Sequence, residues 1–534
     1  MDQLTVLFLL FLVTLIAVPL ATRIRMPYPV VITLGGLLLA VIPGVPELRI
    51  EPDLLLPLLL PPLLHTAGWR TSWREFLANA KPILLLAVAL VLVTTTAVAY
   101  VAHAVVPGLP VAAAVALGAL VAPPDPVAAS AVAAGLRLPR RLVSILESEG
   151  LFNDVTAIVL YQVAVSAVVT GEFSAPVAVG KFLLSAVVAC AVGYGVATIS
   201  AWGFQFFTDA RLRVLGTLLV PYVAYALSDK LGGSGVLAVI VEVLVLRARG
   251  TEAEDALGRL SGSVFWAMTE LMVTGLTFGI IGIELRTVLD VLGTDVGAVL
   301  AEAAAVVGTV ILVRGAWLFP AAVLARRRNR LANEAEDPDE RDLAPVGPRE
   351  TAVLWWAGMR GVATVALALA LPATTDAGDP FPARDRLVVI AFSVVMVTLV
   401  VQGLTLPGLV KLLGVRESED RLGQAEDELR VRSLVAALAR LRELESRGDI
   451  PEDLIDSLRN RCQGLIAQVD PDAYEDEARA AFAERRRRKK EFARVDAELN
   501  EAAREAIKAA RNEPGVDPAV VDKLLRRIDM KGWG

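Results

Sequence analysis

The sequence predicts an all-α polytopic membrane protein of about 13 transmembrane helices with a helical soluble tail. Three observations predict it. The first is apolar block structure: 55% of the 534 residues are hydrophobic, and mean hydropathy is +0.58. A hydrocarbon core of ~30 Å takes ~20 helical residues, and the chain from Met1 to about Val415 is a succession of such blocks. The second is charge placement, concentrated in the breaks between blocks and in the segment after them. The third is a pair of helices interrupted in mid-block by Pro or Gly beside a charge. Two parts follow: a transmembrane domain over 1–415 and a soluble tail over 416–534.

In order, the predicted spans are 4–22, 27–43, 52–69, 82–106, 109–134, 141–170, 175–206, 212–227, 235–246, 261–284, 293–325, 349–371 and 387–413. The first has no basic residues before its apolar run, and its positive charges follow it. That pattern reads as a retained span rather than a cleaved signal peptide. The loops after odd-numbered spans carry about 19 Lys and Arg against about 6 in the others, the alternation that the positive-inside rule demands. It predicts an outside N-terminus and a cytoplasmic tail. A span count wrong by one would scramble the alternation.

Span 5 contains LVAPPDPVAAS, with three prolines around Asp125. Proline removes a backbone donor and clashes with the preceding turn, so the helix must unwind. Span 12 contains WWAGMRGVATVALALALP, with Gly358 and Gly361 flanking Arg360. Unwound backbone at membrane depth survives only against protein or a water-filled cavity. The interruptions lie seven spans apart. Spans 1–6 and 8–13 therefore read as two inverted repeats with discontinuous helices 5 and 12 in equivalent places, a pointer to a transporter's binding site.

Five charges sit well inside spans: Asp125, Glu149, Asp154, Arg314 and Arg360. Each is expensive in lipid, at least ~2.5 kcal/mol on insertion scales. Three belong with Asn153 to one puzzle, the stretch EGLFND at 149–154 and its counter-charge. Glu149 and Asp154 are five residues apart, about 140° around a helix, so they face different neighbours. Arg314 is the expected partner of Glu149, leaving both structural. Asp125 either caps a broken helix or is balanced by a positive half-helix end and Arg360. Asp154 is then the carboxylate left over, supported by the Asn153 amide. A hard monovalent cation such as Na+ takes oxygen ligands. With one carboxylate present, a cation and a proton compete for it, provided that carboxylate titrates near neutrality. Glu242, Glu270 and Glu302 also fall in or near spans and are expected to be interfacial or structural.

These residues form motifs. EGLFND resembles the (E)-S/G-L-x-N-D signature of the monovalent cation:proton antiporter-1 family, the sodium/proton exchangers. APPDPVAAS resembles its A-T-D-P-V-A motif, WAGMRGVATVALALALP its W-x-G-x-R-G motif, SGVLAVIVEVLVL its ninth-span SGVLAVV block, and SVVMVTLVVQGLTLP its T-x-x-x-Q-G-x-T motif. The match runs in order through residues 1–415. It implies a bacterial antiporter of thirteen spans with a cytoplasmic C-terminal tail, working as a homodimer by movement of a core domain against a dimer domain. It implies Asp154 as carrier of Na+ (or Li+, K+) and of H+, with Asn153 and Asp125 at the ion site, Glu149–Arg314 as an ion pair, Arg360 as charge compensation in the broken helix, and electroneutral exchange. The chain departs from the family at Pro124, where Thr is frequent, at Gly150, where Ser is frequent, and at Thr66, where many members carry Glu. These departures remove side-chain ligands and leave Na+ against K+ open.

The nearest alternative function is K+/H+ antiport. An intramembrane aspartyl protease would need Y-D and G-x-G-D contexts, whereas the contexts here are PPDP and FNDV. A passive channel would leak ions without coupling them to protons. No cofactor is expected, and two Cys and two His are too few for a zinc site. The expected setting is the bacterial inner membrane. The tail alternates apolar residues at helical spacing in RVRSLVAALARLRELESRG and carries the basic run AERRRRKKEFAR. That run could touch anionic lipid. A regulatory ligand is the other expected partner of the tail. Nucleic-acid binding is not expected, for the run lacks interleaved aromatics.

Overall fold

The computed structural model describes residues 3–24, 26–42, 52–70, 85–125, 128–129, 136, 138–172, 175–207, 209–250, 256–291, 296–334, 347–415, 419–447, 451–469 and short pieces between 494 and 524. Every regular element among the described residues is helical, and the chain divides into two units, Met1–Arg416 and Glu417–Gly534.

In the first unit the helices are α1 (Gln3–Ile24), α2 (Tyr28–Val41), α3 (Pro52–Arg70), α4 (Leu90–Val105, entered through a π-helical turn at Leu85–Ala89), α5 (Val111–Val121), α6 (Arg140–Thr170), α7 (Ala175–Phe204), α8 (Ala210–Lys230), α9 (Gly235–Gly250), α10 (Ala256–Val291) and α11 (Val296–Glu334). There follow α12 (Pro348–Trp356), α13 (Val362–Leu369), α14 (Arg384–Met396) and α15 (Gly403–Leu413), the last two joined by a π-helical turn at Val397–Gln402. Seven stretches among the described residues are long and apolar enough to cross a membrane, and Tyr28–Val41 and Val111–Val121 are shorter apolar helices. Several helices outrun the predicted spans; α10 and α11 continue well into polar sequence. Hydropathy marks only the hydrocarbon-facing length, whereas backbone hydrogen bonding continues into the polar ends. The second half of span 5, the start of span 4 and the basic run of the tail fall largely outside the described residues.

The helices of this unit sort into two packed sets. In one, α1, α2, α3 and α7–α10 contact each other; in the other, α4, α5, α6 and α11–α15 do. The tightest crossing in the first set is α2 on α10. There a Cβ on Gly36 would overlap the Gly279 carbonyl, and one on Gly282 would overlap that of Thr33. Small residues thus let the two backbones meet, the usual way helices associate where lipid competes for every apolar side chain. The second set meets the first where α13 and α6 pack on α3, α14 and α13 on α10, and α6 on α9.

The second unit contains α16 (Glu419–Arg447) and α17 (Glu452–Val469), which pack together. Leu441, Ile455 and Ile466 are buried, and Arg459 bridges Glu445 at 2.6 Å and Asp456 at 2.9 Å.

Candidate functional site

The two interruptions cross each other. α5 stops at Val121 because Pro123 and Pro124 have no N–H to give. α12 stops at Trp356, and the chain is non-helical to Gly361 before α13 begins. At the crossing the backbones bond directly: Asp125 N donates to Met359 O at 2.7 Å. Each break's charge then serves the other's helix end. Arg360 Nε donates to Val121 O and its Nη2 to Ala122 O, both at 3.0 Å, while Nη1 donates to Gly358 O. A guanidinium is thereby placed on the unsatisfied carbonyls, the negative end, of α5. In return Asp125 Oδ2 accepts from Val362 N at 3.3 Å, at the positive end of α13, and Oδ1 accepts from Ala128 N at 3.3 Å. Gly361 permits this approach, since a Cβ there would overlap the Asp125 carboxylate. Arg360 is buried, and its own N–H is held by Thr398 Oγ1 at 3.0 Å, from the turn where α14 becomes π-helical.

α6 carries the other charges. Glu149 and Arg314 are both 2% exposed and form a forked pair. Arg314 Nη2 reaches Glu149 Oε2 at 2.9 Å, and Nη1 reaches Oε1. The remaining donors go to Leu354 O, from Nη2 at 3.1 Å and Nε at 3.3 Å. A bidentate, fully hydrogen-bonded fork is the geometry that makes a buried ion pair tolerable. Asn153, wholly buried, donates from Nδ2 to Pro124 O at 3.1 Å, tying α6 to the break in span 5. Its Oδ1 is buried without a hydrogen bond among the described residues.

Asp154 is 6% exposed, and among the described residues its carboxylate makes no hydrogen bond and no ion pair. It lines a small cavity. Pro123, Pro124 and Asp125 form one wall, Gly361 to Thr364 another, and Leu60, Leu63, Leu64 and Ala67 of α3 the third. The cavity therefore lies on the seam between the two helix sets, with apolar side chains on the α3 side and polar groups opposite.

The six residues predicted from the sequence fall into three groups in space: Asp125 with Arg360 at the crossing, Glu149 with Arg314 behind it, and Asn153 with Asp154 between crossing and cavity. Other pairings were not legible in the sequence. Tyr161, two turns beyond Asp154, donates to Leu367 O at 2.8 Å and fixes α6 against α13. Glu242, which had no assigned role, lies 3.3 Å from His65 Nδ1, and the imidazole stacks on Trp69 and Trp266. The only signal for that pair was a lone His and a lone Glu in apolar spans. Glu302 bonds Arg386 at 2.8 Å.

Crossed, charge-compensated half-helices around a seam cavity place the molecule among the secondary transporters. The chain belongs to the sodium/hydrogen exchanger family, whose transmembrane model matches residues 8–412. A Mycobacterium tuberculosis protein, named as an uncharacterized Na(+)/H(+) exchanger, is 32% identical over 537 residues, covering 99% of this chain and 95% of that protein. The sodium, potassium, lithium and rubidium/H(+) antiporter of Bacillus subtilis is 28% identical over 418 residues, 75% of this chain and 61% of that protein. The sodium proton antiporter MjNhaP1 from Methanocaldococcus jannaschii shares the fold, with a TM-score of 0.59 at 19% identity over 77% of this chain and 99% of that one. The protein is thus a multi-span membrane transporter of the cation/proton exchange class, not an enzyme.

Proposed function

We propose that this chain exchanges Na+ for H+, electroneutrally, by competition of the two for the Asp154 carboxylate. The observation that carries the reading is a buried carboxylate without a polar partner among the described residues, facing a cavity on the seam between two helix sets. One carboxylate carries either one proton or one monovalent cation, so charge balances over the cycle. Among the described residues the other charges near it are committed: Glu149 to Arg314, Asp125 to two backbone N–H groups, Arg360 to carbonyls. Loading neutralises Asp154 either way, which permits the carrying set to slide past the apolar α3 wall, while the empty anion resists that passage. Alternating access follows.

The membrane architecture belongs to the same proposal: thirteen spans in two inverted repeats, a homodimer in the bacterial inner membrane, an outside N-terminus and a cytoplasmic tail. Loop-charge alternation supports the orientation. Li+ and K+ are the alternative ions, and the name of the Bacillus subtilis relative, which includes potassium and lithium, favours testing both.

The test is dequenching of a pH-sensitive dye in proteoliposomes, adding Na+, Li+ and K+ in turn. Competition requires that the half-maximal cation concentration rise as pH falls. A profile flat from about pH 5 to about pH 9 would contradict it. Asp154→Asn is expected to lose exchange of all three ions; normal transport by that variant ends the mechanism.

A further inference from the structure

Among the described residues, three that line the cavity carry side-chain oxygens: Asp125, Asp154 and Thr364. Both Asp125 oxygens already accept backbone N–H groups. Thr364 is the third residue of α13 and is 1% exposed. A helical threonine ordinarily returns its hydroxyl to a carbonyl three or four residues back. The buried Thr14, Thr33, Thr66 and Thr398 all do so, whereas among the described residues the buried Thr95, Thr274 and Thr277 hydroxyls have no partner, and none of those three lines the cavity. For Thr364 the residues three and four back are Gly361 and Arg360, where the helix has not yet formed. Among the described residues the Thr364 hydroxyl has no hydrogen-bond partner. The same break that unwinds span 12 thus leaves a buried hydroxyl beside the cavity. Neither Pro124 nor Gly150 supplies a side-chain oxygen there.

We propose that Thr364 Oγ1 is a ligand of the transported cation and, with Asp154, determines which monovalent ion the site accepts. The inference rests on the exchange reading above and deepens it. A hydroxyl replaces one water of the ion's shell without adding charge, so one carboxylate still balances one ion. Its loss weighs most on Li+ and Na+, which hold their oxygen ligands more tightly than K+ does.

The experiment compares wild type, Thr364→Val and Thr364→Ser in proteoliposomes, titrating Na+, Li+ and K+. Valine keeps the shape and deletes the oxygen; serine keeps the oxygen. The expected result is a half-maximal Na+ or Li+ concentration raised about tenfold in the valine variant, a much smaller change for K+, and near wild-type values for serine. Unchanged half-maximal concentrations in the valine variant overturn the assignment, as does a serine variant equally impaired. A parallel titration follows cation-dependent thermal stabilisation of each protein in detergent. The valine variant should need about tenfold more Na+ for the same stabilisation, and an unchanged requirement overturns the proposal. Wild type that exchanges none of the three ions sinks the exchange reading instead, and the thermal titration then judges Thr364 by binding alone.

Discussion

Glu149 and Asp154 stand on the same helix, five residues apart and almost equally buried, at 2% and 6% exposure. Burial does not distinguish them; their neighbours do. Glu149 meets a guanidinium that fills both its oxygens, and the guanidinium's spare donors end on a backbone carbonyl. Asp154 meets a cavity and apolar residues of α3. A buried charge that is fully paired becomes structure, because releasing either partner strands the other in low dielectric. A buried charge left unpaired holds whatever small cation reaches it.

The sharpest way to break this contrast is the same amide substitution at both sites. Asp154→Asn should abolish cation-driven dequenching while thermal stability in detergent is kept or raised, since an unpaired buried charge is removed. Glu149→Gln should do the reverse to stability, lowering it by about 3–5 kcal/mol by leaving Arg314 uncompensated. Adding Arg314→Met to Glu149→Gln should then recover most of that loss, a coupling that a double-mutant cycle of denaturation measures. If Glu149→Gln is as stable as wild type, the pair is not structural. A smaller effect is expected at the crossing. Arg360→Lys keeps the charge but loses the fork that spans Val121 O and Ala122 O, so exchange should slow about tenfold in a folded protein. The smallest is Asn153→Ala, which removes one bond to Pro124 O and should cost about 1 kcal/mol of stability with partial exchange retained.

Much of this site was legible because intramembrane charge is rare enough to notice. Asp125, Glu149, Asp154, Arg314 and Arg360 could be picked out by the cost of placing them in lipid. The breaks could be placed by Pro123, Pro124, Gly358 and Gly361. What stayed hidden shares one character: it involves groups that are unremarkable in a membrane helix. Thr364 and Tyr161 are ordinary residues in such a sequence, and their roles arise from where α13 starts and how it lies against α6. The two π-helical turns were equally silent, since each inserts no unusual residue.

Sequence by itself determined an all-helical membrane protein, the family motifs, and which residues carry charge at depth. These follow from composition and spacing, since lipid penalises unpaired backbone and charge wherever they fall. Only the tertiary structure decided which charge answers which. Arg360 lies on the carbonyl end of α5, and Asp125 on the amide end of α13, because two helices distant in sequence stop at the same point in space. Pairing depends on distances of about 3 Å between residues far apart in the chain, and no local pattern encodes such a distance.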